Sequence, residues 1–308
     1  MVDASLEIIA CPPERVRDAL SLVLCEIAPE ARREIARNVV NDDEAPRSVA
    51  GLYIALRGNK LCAAAWGQRQ PGNTAMFWPP QWNCREEPTA SLQLAVAAMA
   101  DLDAAGVAMS QVLLPSREAN VVPVLQAVGF RHLADLLYLA CEATNFPEQP
   151  PEMGQLQFEA YQASQRERME RVVERTYEDT RDCIELNGVR EMGDVLDGYA
   201  VTGASGTSNW HFVRAGGEDV GVLLLAQHSG PQHWELVYMG LVPEVRGRGW
   251  GLKITRWAQW QARCGGAERM VLAVDATNLP ALTMYRDAGF FAWDQRTVFA
   301  RFCAARPA

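Results

Sequence analysis

The chain has 308 residues, 49% apolar and 22% charged, with 38 acidic against 29 basic side chains and a formal net charge of −9. That is the make-up of a globular protein long enough for two domains, and the acidic surplus argues against nucleic acid or anionic membrane as the main partner. The absence of a bilayer-length apolar run, of a secretion-type start in MVDASLEIIACPPERV, and of any CxxC or histidine-paired spacing among the eight cysteines predicts a cytoplasmic protein with reduced thiols and no metal.

In chain order, PPERVRDALSLVLCEI (12–27) reads as a helix and GLYIALRGNKLCAAAWGQ (51–68) as a hairpin. TAMFWPPQW (74–82) reads as a strand, TASLQLAVAAMADLDAAG (89–106) as a helix and AMSQVLLP (108–115) as a strand. The stretch ATNFPEQPPEMGQ holds three prolines and two glutamates and is expected to be a linker. It divides the chain into a domain over 1–143, a linker over 144–155 and a domain over 156–308.

Beyond the linker, LQFEAYQA predicts a strand. The charged stretch 165–183, with Met169, Val172, Val173 and Tyr177 at helical spacing, predicts a helix. MGDVLDGYAVTG predicts a second, short helix. NWHFVRA, DVGVLLLAQH and HWELVYMGLV are strand-like, with turns at GGE and at SGPQ (229–232). LKITRWAQWQARCGG predicts a helix with Trp250, Ile254, Trp257 and Ala258 on one face, ended by Gly265 and Gly266. RMVLAVDAT is a strand, NLPALTMYRDAG a helix with Pro280 in its first turn, and FFAWDQRTVFARF a last strand. The first half repeats this order, and VPVLQAVGF lies against LTMYRDAGF with Gly129-Phe130 matching Gly289-Phe290, which points to an internal duplication.

Between a strand and a helix stands LVPEVRGRGWG (241–251). It is no P-loop, because Leu252-Lys253-Ile254 follows Gly251, and no GxGxxG fingerprint, because position 252 is leucine. It does have the form Arg-x-x-Gly-x-Gly over Arg246-Gly247-Arg248-Gly249-Trp250-Gly251. Consecutive N–H groups in such a turn make a concave anion site helped by the helix dipole, and glycine allows positive φ and close approach of a ligand.

With Asn278 and Tyr285 following at family spacing, the chain resembles the GNAT superfamily of N-acetyltransferases over roughly Leu156–Phe302. The resemblance implies a mixed α/β fold and acetyl-CoA as co-substrate, without a metal. Its pyrophosphate would lie on Arg246, Gly247, Arg248, Gly249, Trp250 and Gly251, and Asn278 would touch the cofactor amide, cap the helix, or both. It further implies that the strand Glu235–Val242 splays from its neighbour, freeing backbone groups near Leu241 and Val242 for the pantetheine arm and for an oxyanion.

The same resemblance makes Glu235 a base acting through water, or else a solvated strand-end carboxylate; strict alternation would put it on one face with Val237, Met239 and Leu241. Tyr285 would protonate the departing thiolate, its plain alternative being a core aromatic. Trp250 is assigned to the buried helix face beside Ile254. His211, His228 and His233 are expected to be structural or exposed. Asp179, Asp182 and Glu185 are expected to be a solvated charge run rather than a pocket for a cationic amine.

In the first half CREEPTA stands in place of the glycine loop, Glu86 and Glu87 would repel a pyrophosphate, and Leu125 replaces Tyr285. The expectation is two tandem acetyltransferase-like domains, the N-terminal one degenerate, similar in layout to mycothiol synthase, although substrate does not follow from layout. The expected activity is acetyl transfer to a small-molecule or peptide amine. The rival reading is a non-catalytic acyl-CoA-binding sensor. A tandem repeat can replace a dimer partner, so a monomer is expected.

Overall fold

The computed structural model describes residues 5–25, 27, 35, 49–115, 120–186, 188–228 and 233–303. They fall into two compact units, Met1–His132 with Val298–Ala308, and Leu133–Thr297. The turn expected at 229–232 lies outside the described residues. Among the described residues no helix is long and apolar enough to cross a membrane, and all eight cysteines are free thiols.

The first unit runs β1 (Leu6–Ala10), α1 (Val16–Val23), β2 (Leu52–Arg57), β3 (Lys60–Gln70), β4 (Thr74–Trp82), α2 (Pro88–Ala104), β5 (Met109–Pro115) and α3 (Val122–Ala127). Its strands are ordered β1-β2-β3-β4-β5. The two-residue turn Gly58-Asn59 joins β2 to β3, with Gly58 at φ +60°. The small residues Ala63, Ala64 and Ala65 of β3 are fully buried because α1 covers one face of the sheet and α2 the other. Leu125, the counterpart of Tyr285, is also fully buried.

The second unit runs β6 (Arg131–Glu142), β7 (Leu156–Ala160), α4 (Arg166–Tyr177), α5 (Met192–Ala200), β8 (Asn209–Ala215), β9 (Glu218–Gln227), β10 (His233–Leu241), α6 (Trp250–Cys264), β11 (Arg269–Asp275), α7 (Leu279–Asp287) and β12 (Phe291–Phe302). Its strand order is β12-β6-β11-β10-β9-β8-β7. Helix α4 forms where Met169, Val172, Val173 and Thr176 recur at i, i+3, i+4 and i+7 and bury one stripe. With α5 it covers β8 to β10 through Phe212, Val222 and Leu224. Helix α6 buries Trp250, Ile254, Ala258 and Ala262 on the opposite face, against Leu223, Leu225, Leu236, Met270 and Leu272. Each of the buried Ile, Leu and Met side chains contributes about 1.5–3 kcal/mol. Gly265 and Gly266 close α6, Gly266 at φ +76°.

The division of the chain into units does not fall at residues 144–155. β6 pairs antiparallel with β11, from Arg269↔Glu142 to Asp275↔Leu136, so this strand of the first half of the chain lies in the second unit. Conversely, the end of β12 belongs to the first unit, where Arg301 holds Asp103 through two bonds of 2.7 Å and the Cys303 N–H donates to the Ala108 carbonyl at 3.0 Å. The proline-rich segment is anchored at its start: Ala143–Asn145 makes one 3-10 turn and Phe146 is 3% exposed in the second unit's core. Its composition speaks against helix and strand but carries no information about docking.

Both units contain a short parallel pair that ends early. β4 and β5 are in register from Thr74↔Met109 to Met76↔Gln111. β10 and β11 are in register from His233↔Arg269 to Glu235↔Val271.

Candidate active site

All the candidate residues lie in the second unit. Past Glu235, β10 parts from β11 and keeps only β9 as a partner. The Val242 N–H donates to the Val220 carbonyl at 3.0 Å, so Val242, expected to leave its backbone free, is used up by the sheet. Alternation along an antiparallel pair then turns the backbone groups of Met239 and Leu241 away from β9, into the gap. The Leu241 carbonyl there accepts from Arg246 Nε at 2.9 Å. Met239, not Val242, is therefore the companion of Leu241 at the opening.

A bulge between Leu236 and Tyr238 shifts the register of β10 against β9. One extra residue turns the following side chains over. Glu235, opposite Ala226, shares its face with Tyr238, opposite Leu224, and with Gly240, opposite Val222. Met239 and Leu241 face the α6 side, packed against its core. The common face expected for Glu235, Val237, Met239 and Leu241 does not form. Gly240 is required for a close approach: a Cβ there would lie 2.5 Å from Thr176 Oγ1 and 2.6 Å from Thr176 Cβ.

The three glycines of the loop differ in their reasons. Gly247 and Gly249 adopt φ +76° and +72°, and a Cβ on either would meet nothing within 4 Å, so their surroundings are open. Gly249 is the N-cap of α6 and no side chain caps it, which leaves the first-turn N–H groups pointing outward. Gly251 lies against α7 instead, where a Cβ would be 2.6 Å from Met284 Sδ.

Arg246, expected to add charge for an anion, spends its guanidinium on three carbonyls: Leu241 at 2.9 Å, Thr176 at 2.9 Å and Asp179 at 3.1 Å. It ties the end of α4 and the end of β10 to the loop. Arg248 donates to the Glu244 carbonyl at 3.0 Å and stands 5.3 Å from the centre of the Trp250 ring. Trp250 is 8% exposed in the core beside Ile254, as its helical position predicts. Thr255 Oγ1 links the floor of the gap, lying 3.8 Å from Met239 Sδ and 3.9 Å from Met284 Sδ.

Asn278 is the N-cap of α7, its Oδ1 accepting from the Ala281 N–H at 3.3 Å. Tyr285, one turn along that helix's second half, is 6% exposed and in edge contact with Phe290. Burial first, and the charge of Asp182 second, push its hydroxyl well above the ordinary tyrosine range, so it is a neutral proton donor.

Asp182 is not part of a solvated run. Its Oδ1 accepts from the Asp275 N–H at 2.9 Å, and the Cys183 N–H donates to Asp275 Oδ2 at 3.2 Å. These bonds fold the segment after α4 back onto the end of β11. Burial raises the Asp182 carboxyl, and burial with the charges of Asp182 and Asp275 pushes the Cys183 thiol up to about 12. One ligand-capable atom from each of Asp182, Cys183 and Asp275 lies within 4.8 Å of the others; protein hydrogen bonds from Cys183, Asp275 and Thr277 hold both carboxylates. Beside this loop Tyr177, Tyr199 and Tyr238 pack together, with Tyr177 and Tyr199 hydroxyls 2.7 Å apart and Tyr238 2.8 Å from Thr176 Oγ1. Neither the tyrosine group nor the role of Asp182 was legible from spacing, since they come from different elements.

Glu235 Oε2 is 2.8 Å from His228 Nε2. His228 was set aside in the sequence for want of ligand spacing. The hairpin geometry brings it to Glu235, because its N–H donates to the His233 carbonyl at 3.0 Å and Glu235 is then its diagonal neighbour.

The sequence profile of the Acetyltransferase (GNAT) family matches residues 160–290. A mycothiol acetyltransferase of Corynebacterium glutamicum (strain R) is 34% identical over 90 residues, 29% of this chain and 30% of that relative. One from Arthrobacter sp. (strain FB24) is 34% identical over 73 residues, 23% of each. These alignments thus span less than a third of the relatives' length. Among solved structures, a GCN5-related N-acetyltransferase from Sphaerobacter thermophilus matches 96% of this chain and 95% of its own at TM-score 0.63 and 14% identity. A tandem GNAT protein from the clavulanic acid biosynthesis pathway matches 98% of this chain and all of its own at TM-score 0.54 and 11% identity. At such identities the structures speak to fold alone, and the fold is that of two tandem acetyltransferase-like halves. Residues 160–290 of this chain are a domain of the GNAT acetyltransferase family.

Proposed function

We propose that the second unit transfers an acetyl group from acetyl-CoA to a primary amine by direct attack, while the first unit, which lacks the glycine loop, does not. The observation that carries this is the coincidence of two openings on one strand. β10 leaves β11 after Glu235, and the same strand ends at the uncapped, glycine-bounded start of α6. A pyrophosphate fits the first-turn N–H groups with Gly247 and Gly249, and a pantetheine arm fits the backbone edge at Met239 and Leu241. Acetyl-CoA supplies the activated carbonyl. Arg246 acts by shaping the loop.

Glu235 takes the ammonium proton through water. The freed amine nitrogen bonds to the thioester carbon, the N–H groups at the gap hold the oxyanion, and the C–S bond breaks as Tyr285 gives its proton to the sulfur. The surplus proton of the attacking nitrogen passes through water to restore the tyrosine hydroxyl. The names of the curated relatives support a small-molecule acceptor over a peptide. Such an acceptor would approach from the side of Asp182 and the tyrosine cluster, the face to which Glu235 points.

Thermal melting with and without acetyl-CoA, followed by thiol release across amines, aminoglycosides, polyamines, amino acids and peptide N-termini, tests the reading. Acetyl-CoA should raise the melting temperature of the wild type and not that of Gly249→Glu. A wild type indifferent to acetyl-CoA removes the proposal. Stabilisation without thiol release from any amine favours an acyl-CoA-binding sensor.

A further inference from the structure

We infer that His228 is a positioning residue for Glu235, donating from Nε2–H to hold Oε2 of the carboxylate toward the hairpin end of β10, which fixes the side chain and leaves Oε1 for the water that carries the proton. This rests on the acetyl-transfer reading above and adds to it a residue at the end of the hairpin. The pair is 2.8 Å apart, and the side chains are 37% and 29% exposed.

The backbone leaves the pair little freedom. Glu235 is paired on both sides, with Ala226 of β9 and Val271 of β11, and His228 is fixed by its bond to the His233 carbonyl. Glu235 is the last residue of β10 paired with both neighbours before the strand parts from β11. Its side chain points to the face carrying Tyr238, which packs with Tyr177 and Tyr199. A carboxylate there has several rotamers, and only a lateral donor selects one of them.

Among the described residues, several other ionisable groups lie near the pair. Tyr138 of β6 is close enough for Glu235 to help raise its hydroxyl, after burial, and Arg296 and Asp294 of β12 act on the same tyrosine and pair with each other at 2.8 Å. Arg269 at the head of β11 is held by Glu142. His233 heads β10, and residues 229–232 contain no ionisable side chain. A histidine that merely closes the hairpin would have no bearing on turnover. One that positions a base frees its carboxylate to other rotamers when lost, which lowers turnover and leaves cofactor binding alone.

The test compares kcat and KM of wild type, His228→Ala and His228→Gln, using the best amine of the panel. His228→Ala should lower kcat about tenfold near neutral pH, with unchanged KM for acetyl-CoA. His228→Gln keeps a donor and should recover most of kcat. In parallel, 15N–1H correlation spectra should show a slowly exchanging His228 imidazole N–H in wild type that is lost in Glu235→Gln. An unchanged kcat in His228→Ala, or no rescue by Gln, overturns the inference and leaves acetyl transfer intact. A wild type that acetylates no amine overturns both.

Discussion

Tyr285 keeps its proton because water is excluded around it and because Asp182 lies nearby, and both effects act in the same direction. Through neutral and mildly alkaline pH it remains a donor, so no alkaline fall in turnover should trace to it below the ordinary tyrosine range. In Tyr285→Phe the ring stays packed on Phe290 while the proton is lost. Steady-state kinetics should show kcat down by about 100-fold, and the acetyl-CoA shift in melting temperature should persist.

The glycines allow a contrast within one loop. Gly249→Ala places a Cβ at φ +72° and should cost about 1 kcal/mol in urea unfolding. Gly251→Ala has helical backbone and meets only the thioether end of Met284, which can swing aside, so it should fall within about 0.5 kcal/mol of wild type. The Arg-x-x-Gly-x-Gly spacing made the loop legible because glycine reports its own backbone. The bulge at Leu236/Tyr238 was not legible, since no residue there demands it, and it changed which side chains accompany Glu235.

At the level of elements, the second unit is braced by an ion-pair network joining β7, α4, β8 and β9. Arg168 bonds Glu159 and Asp219, and Arg214 bonds the same two carboxylates. The Arg168 guanidinium beside Glu159 holds that carboxyl at about 2, below its ordinary 4.5. The contribution is therefore complete above pH 4.5, declines as pH falls from there toward 2, and is gone below. Since Glu159 is 32% exposed, solvent reduces it to about 1 kcal/mol. Urea midpoints of wild type and Glu159→Gln should differ at pH 7 and converge as the pH falls toward 2. Periodicity located α4 and α6 well, because a stripe of buried residues every three or four positions is unambiguous. β6 escaped it: RHLADLLYLACE has leucines that suit a helix or a strand equally, and only pairing with β11 decides.

For the molecule as a whole, the unit boundaries matter more than the proline-rich segment. A fragment over 156–308 lacks β6, so the β11 edge and the pocket filled by Leu139 and Cys141 are left bare. Circular dichroism should find it without a cooperative thermal transition, whereas the full chain melts cooperatively. The duplication was visible in the order of elements. The exchange of strands was not, because it depends on partners more than a hundred residues away.

That exchange also sets a timetable during synthesis. The end of β12 lies beside β5 in the first unit, so the ribosome must add the whole stretch from 116 to 297 before β5 can receive its neighbour. At about 5–20 residues per second this takes roughly ten to forty seconds. For that time β5 presents an open row of backbone donors and acceptors to other nascent chains. The half without the glycine loop starts first and finishes last.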